Sequence, residues 1–123
     1  MKSQLKQDQL VPDNEELTPM KLAREESKKS IHKFQIGATI IKRNRVLSKA
    51  CNIYKTHPIF GSGEYKRLHA EGHAIYKAIR GGLDISGSTI YIYRKNNNLA
   101  KPCKCCMGLI HKYGIKEIIY SGK

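Results

Sequence analysis

The sequence predicts an α/β fold built on a mixed sheet, and three observations predict it. Apolar and polar residues alternate on both sides of a short turn near residue 44, which reads as an antiparallel hairpin. A strand, helix, strand succession closes the chain and, as a βαβ unit, calls for a parallel pair crossed right-handed. Between them stands a helix of small residues suited to close packing on a sheet. At 123 residues the chain has room for one core, so a single domain over residues 18–123 is expected, preceded by a flexible polar tail over residues 1–17.

The elements follow in order. Thr18 and Pro19 fit an N-cap and first helical position, and Met20, Leu22, Ala23, Ser27 and Ile31 keep near-helical spacing, placing a first helix from about Pro19 to Ser30. Phe34, Ile36, Ala38 and Ile40 alternate, Arg43-Asn44 offers a turn, and Val46, Leu47, Ala50 and Ile53 return. Tyr54 to Leu68, with His57-Pro58 and Gly61-Ser62-Gly63, reads as a long loop, the kind that carries binding residues. Ala70, Ala74, Ile75, Ala78 and Ile79 mark a second helix over His69 to Arg80, stopped by Gly81-Gly82. Thr89 to Arg94 is a β-branched and aromatic strand, and Lys95 to Lys101 a polar loop. Pro102 opens a third helix that Gly114 ends, and Ile115 to Tyr120 is the last strand.

Charge and cysteines narrow the function. Net charge is +13, and residues 34–123 hold 16 basic side chains against 4 acidic ones. Such a field concentrates phosphate-bearing molecules, either nucleotides or nucleic acid. No stretch reaches the ~18 apolar residues of a membrane span, and MKSQLKQDQL lacks the apolar run of a signal peptide, so a cytoplasmic chain is expected. Cys103, Cys105 and Cys106 crowd together while Cys51 stands apart, a pattern that suits metal ligation better than a disulfide framework. Cys51 reads as a small core residue.

The chemistry lies in two segments: His69-Ala70-Glu71 at the start of the second helix and Pro102-Cys103-Lys104-Cys105-Cys106 at the start of the third. Zinc prefers imidazole nitrogen and thiolate sulfur, and a catalytic zinc keeps three protein ligands with its fourth position for water. His69, Cys103 and Cys106 make that set, one ion per chain. Two cysteines three apart at a helix N-terminus share a face, where free N–H groups and the helix dipole favour thiolates. Cys105 points elsewhere. Zinc lowers the pKa of its water, from ~9 for the aqueous ion to ~7 in an enzyme site, which makes hydroxide available near neutrality. Glu71, two residues past His69, is placed to carry protons without acting as a fourth ligand. The site is hydrolytic.

With both motifs in order, the sequence resembles the cytidine and deoxycytidylate deaminase superfamily of zinc nucleobase deaminases, over roughly residues 34–123. The resemblance implies a three-layer α/β/α cytidine-deaminase-like fold, here short at its C-terminal end, and a homo-oligomer. It implies that zinc-activated water attacks C4 of a cytosine ring while Glu71 moves protons to N3 and then to the departing ammonia. It further implies that the Ala70 N–H holds the ring carbonyl, the Lys101 carbonyl accepts from the amino group, and Asn52 contacts the sugar. His57 is a further candidate for substrate contact, and Lys55, with Lys66 and Arg67, for a phosphate. Many tRNA adenosine and guanine deaminases carry Thr-Leu-Glu before their Pro-Cys, where this chain has Leu99-Ala100-Lys101. That difference directs the reading to deamination of a cytosine nucleoside or nucleotide, dCMP to dUMP foremost. Many deoxycytidylate deaminases have an asparagine at the position of His73. The alternative is a base deaminase acting on tRNA or single-stranded nucleic acid through the basic surface.

Overall fold

A four-stranded mixed sheet in the order β2-β1-β3-β4 organises the molecule, formed by β1 (Ile36–Lys42), β2 (Arg45–Cys51), β3 (Thr89–Arg94) and β4 (Glu117–Tyr120). The computed structural model describes residues 18–31, 34–53 and 69–122; the expected tail and the Tyr54–Leu68 loop, with His57 and Lys55, lie outside them. Three helices of four residues or more complete the described fold: α1 (Thr18–Ser27), α2 (Ala70–Arg80) and α3 (Lys104–Lys112).

The hairpin turns where expected. Arg43 and Asn44 both adopt positive φ, 52° and 64°, the two-residue geometry whose twist matches that of paired strands. Lys42 faces Arg45 and Ile41 faces Val46, and a register shift between Ile40 and Ile41 then sets Ile40 opposite Ser48. β1 also pairs antiparallel with β3, and β3 pairs parallel with β4 from Thr89↔Glu117 to Ile92↔Tyr120.

Alternation along the strands builds three layers. Ala38 and Ile40 of β1 and Ile90 and Ile92 of β3 share one buried cluster with Ala70, Ala74, Ile75 and Ala78 of α2 and Ile110 of α3. The other face of β1 takes α1. A Cβ on Gly37 would stand 2.0 Å from the Ala23 carbonyl oxygen, so only glycine lets this helix lie so close. Glu26 of α1, buried at its side chain, reaches the Lys29 ammonium at 2.8 Å and that of Lys49 on β2 at 3.9 Å.

Four features differ from expectation. α1 ends at Ser27 instead of Ser30: the Ser27 hydroxyl donates back to the Arg24 carbonyl at 2.6 Å, and the Ser30 hydroxyl leaves the helix to donate to the Asn52 carbonyl at 2.8 Å. α3 begins two residues after Pro102, with Cys103 as its N-cap. The Lys95–Lys101 segment is not plain loop. It holds a 3₁₀ turn over Lys95–Asn97, with Asn96 and Asn97 at φ 65° and 56°, and an Arg94–Asn98 bridge. Gly114, at φ 76°, ends α3 as its sequence position suggests, and Ile115 and Lys116 lead into a β4 shorter than expected.

Candidate active site

The parallel pair and its crossover bring the starts of α2 and α3 to one end of the sheet, and with them the two chemical segments. His69 is the N-cap of α2 in extended conformation, its side chain unused as a cap. Its Nδ1 lies 3.6 Å from Cys103 Sγ and 3.4 Å from Cys106 Sγ, and the three donor atoms fall within 4.8 Å of one another. Zn–S and Zn–N bonds of about 2.3 and 2.05 Å at a tetrahedral angle span about 3.6 Å, so the spacing suits a zinc ion.

Local structure explains the two cysteines. Cys103 occupies the N-cap of α3, where its Sγ accepts from the Cys106 N–H at 3.5 Å, and Cys106 follows three positions on, the spacing of a capping pair. The sulfur is both a candidate ligand and the cap of its own helix. Cys106 is buried, Cys103 and Cys105 exposed.

Glu71, in the first turn of α2, is 5% exposed. Burial pushes its carboxyl up to about 7, against the opposing pull of its own backbone N–H and the Cys106 side chain. Burial and then the neighbouring Glu71 charge push the Cys106 thiol upward as well. The donor set suited to a cation is His69, Cys103 and Cys106, with the Glu71 carboxyl beside Cys106.

His69, Glu71 and Cys103 share a cleft of about 230 Å³ with Phe34, Ile36, Asn52, Arg94, Leu99, Ala100 and Lys101. Asn52 therefore lies where a substrate contact was expected, but its amide also serves the fold. Its Oδ1 accepts from the Ile36 N–H at 3.1 Å and its Nδ2 donates to the Phe34 carbonyl at 2.6 Å, tying the end of β2 to the entry of β1. Ala70 is buried, and its N–H belongs to the first helical turn, which has no intrahelical acceptor to offer it. His73 is committed elsewhere: its Nδ1 contacts the Cys51 carbonyl at 2.8 Å. Cys51 is buried, as a core residue should be. His57 and Lys55 lie outside the described residues.

Arg94 and Phe34 were not among the expected site residues. Phe34 is half exposed at the cleft mouth with the Arg94 guanidinium 5.1 Å from its ring centroid. The signal for Arg94 was positional: it ends a strand of a parallel pair, and ligands of such sheets bind outside the strands' C-terminal ends.

A mixed sheet that presents an imidazole, two thiols and a buried carboxyl from adjacent helix starts defines a zinc-dependent hydrolytic deaminase. The chain belongs to the cytidine and deoxycytidylate deaminase family, whose zinc-binding region matches residues 13–122. Among solved structures it is similar to the dCMP deaminase of cyanophage S-TIM5, with 26% identity, TM-score 0.66, and coverage of 83% of this chain and 78% of that one. It is also similar to a diaminohydroxyphosphoribosylaminopyrimidine deaminase/5-amino-6-(5-phosphoribosylamino)uracil reductase from Thermotoga maritima. There identity is 26% and TM-score 0.61, with 84% of this chain and 28% of that one covered. A cytidine deaminase from Burkholderia pseudomallei shares the fold, with 16% identity, TM-score 0.60, and coverage of 81% and 75%. No curated protein matches the sequence significantly. Among the described residues no helix is long and apolar enough to cross a membrane.

Proposed function

We propose that the protein hydrolyses dCMP to dUMP and ammonia. The observation that carries this reading is the buried Glu71 carboxyl in the same cleft as His69 and Cys103, with two cations, Arg94 and Lys101, on the cleft wall. The likeness to a phage dCMP deaminase at 26% identity supports it.

His69, Cys103 and Cys106 would hold the zinc ion, which when bound supplies an activated water as nucleophile for C4. Glu71 takes a proton from that water and delivers it to ring N3. It then transfers the second to the exocyclic nitrogen, which leaves as ammonia. A buried carboxyl beside the ring serves as acceptor in one transfer and as donor in the next. The Ala70 N–H donates to the ring carbonyl, the Lys101 carbonyl accepts from the departing amino group, and Asn52 turns its remaining amide capacity to the sugar. The water contributes the new C4 oxygen, so dCMP and water account for dUMP and ammonia.

The test incubates zinc-loaded protein, with Glu71→Ala as control, against dCMP, deoxycytidine, cytidine, dCTP, guanine, single-stranded DNA and tRNA, reading deamination by mass. Turnover of dCMP above the other substrates is expected. Conversion only within a polymer would replace this reading by that of a base deaminase on nucleic acid, which the net charge of +13 favours. We also propose a homo-oligomer, checked by light scattering on the eluted protein.

A further inference from the structure

The segment between β3 and α3 does more than connect them. Its first half is fastened by one buried hydroxyl: Ser121 Oγ accepts from the Arg94 N–H at 3.0 Å and donates to the Asn98 carbonyl at 2.8 Å. The Ala100 N–H adds a bond to the Ser121 carbonyl at 2.8 Å, and the Lys95 N–H donates to the Gln35 carbonyl at 2.9 Å. Within the turn, the Asn97 N–H donates to Tyr93 Oη at 3.1 Å. The backbone on both sides of Arg94 is thereby fixed before any ligand arrives.

The side chain has contacts of its own. The guanidinium lies 5.1 Å from the Phe34 ring centroid, and Nη1 is 3.5 Å from the Leu99 carbonyl oxygen, the outer limit of a hydrogen bond. Among the described residues no carboxylate pairs with it, so most of its five N–H donors are open to an acceptor. Arg94, Phe34 and Leu99 all line the cleft that holds His69 and Glu71. A planar fork of donors, resting on an aromatic ring at the wall of the cleft, suits the oxygens of a phosphate.

We infer that Arg94, stacked on Phe34, is the phosphate-recognising residue of the cleft and selects a nucleoside monophosphate over the bare nucleoside. This rests on the proposed deamination of a free cytosine nucleotide. The phosphate is a terminal monoester, and Arg94 meets two of its oxygens at once. Because the fork is already placed, little side-chain entropy is lost when the phosphate binds.

Binding of the product form tests this without turnover. Calorimetry of zinc-loaded protein with dUMP and with deoxyuridine should show the phosphate improving affinity by about 10- to 100-fold, a preference that Arg94→Ala brings close to one and Arg94→Lys restores in part. Thermal unfolding of each variant confirms that it is folded. Equal affinity for the two ligands in the unmodified protein, or an undiminished preference in Arg94→Ala, overturns the inference. So does a preference that Lys101→Ala abolishes and Arg94→Ala keeps, which would move the anion to the other wall. Tighter binding of an oligodeoxynucleotide containing one deoxyuridine than of dUMP, lost in Arg94→Ala, assigns the arginine to a strand and overturns the free-nucleotide assignment. Failure of the proposed function appears separately, as no conversion of dCMP by a protein that still prefers dUMP through Arg94.

Discussion

Replacing one carboxyl oxygen of Glu71 by an amide nitrogen separates metal binding from proton transfer. Glu71→Gln should retain about one zinc per chain by metal analysis while turnover falls by about 10²- to 10⁴-fold, the ordinary contribution of a general acid–base group. An active Glu71→Gln protein would remove the carboxyl from the mechanism. The cysteines divide in the same manner. Cys103→Ala and Cys106→Ala should each lose zinc, because each removes one of three donor atoms lying within 4.8 Å of one another. Cys105→Ala should keep it, and equal loss there would overturn the ligand assignment. Metal-site spacing was legible at this scale, since two cysteines three apart at a helix start are brought together by the helix itself. The partner of Arg94 was not: Phe34 lies 60 residues earlier, and only the β1–β3 pairing brings the two within reach.

At the scale of elements, the contact of α1 with β1 is the closest approach that the glycines report. Gly37→Ala would set a methyl 2.0 Å from the Ala23 carbonyl oxygen and 2.6 Å from the Ser27 backbone nitrogen, neither of which can move without shifting the helix. A loss of about 1–3 kcal/mol in urea unfolding is expected; an unchanged midpoint would show that α1 is free to slide. The α2–β3 connection carries a pH dependence. The Ser86 hydroxyl and N–H donate to Asp84 at 2.7 and 3.0 Å and hold its carboxyl below its ordinary 3.8, with Lys42 adding to the effect. A carboxyl lowered in the folded state stabilises above its unfolded pKa, and that stability fades as pH falls through the folded value. Unfolding midpoints between about pH 5 and about pH 2 should therefore drop more for the unmodified protein than for Asp84→Asn. Equal slopes would deny the turn any part in acid stability. Element identity was read well from periodicity, whereas ends were misplaced where side-chain hydroxyls and a thiol, Ser27, Ser30 and Cys103, took over the backbone's hydrogen bonds.

For the whole molecule, a net charge of +13 acts on any anionic substrate before contact. Raising ionic strength from about 0.01 to about 0.15 M shortens the screening length from about 30 to about 8 Å. The kcat/KM for dCMP should fall several-fold over that range, while that for deoxycytidine, which carries no charge, changes little. Parallel behaviour of the two substrates would confine the charge to solubility.

By itself, the sequence determined the hairpin, the βαβ unit, the presence of the two helices and the zinc-type donor set, since each depends on residues a few positions apart and on local periodicity. Tertiary structure alone decided that the His69 ring meets both cysteines, and that Glu71 is buried beside Cys106. It also decided that the Asn52 amide fastens two strands while lining the cleft, and that Arg94 lies over Phe34 at the same cleft. Those facts join segments distant in the chain, and their geometry follows from how the sheet pairs and how closely helices can approach it, which no short stretch of sequence encodes.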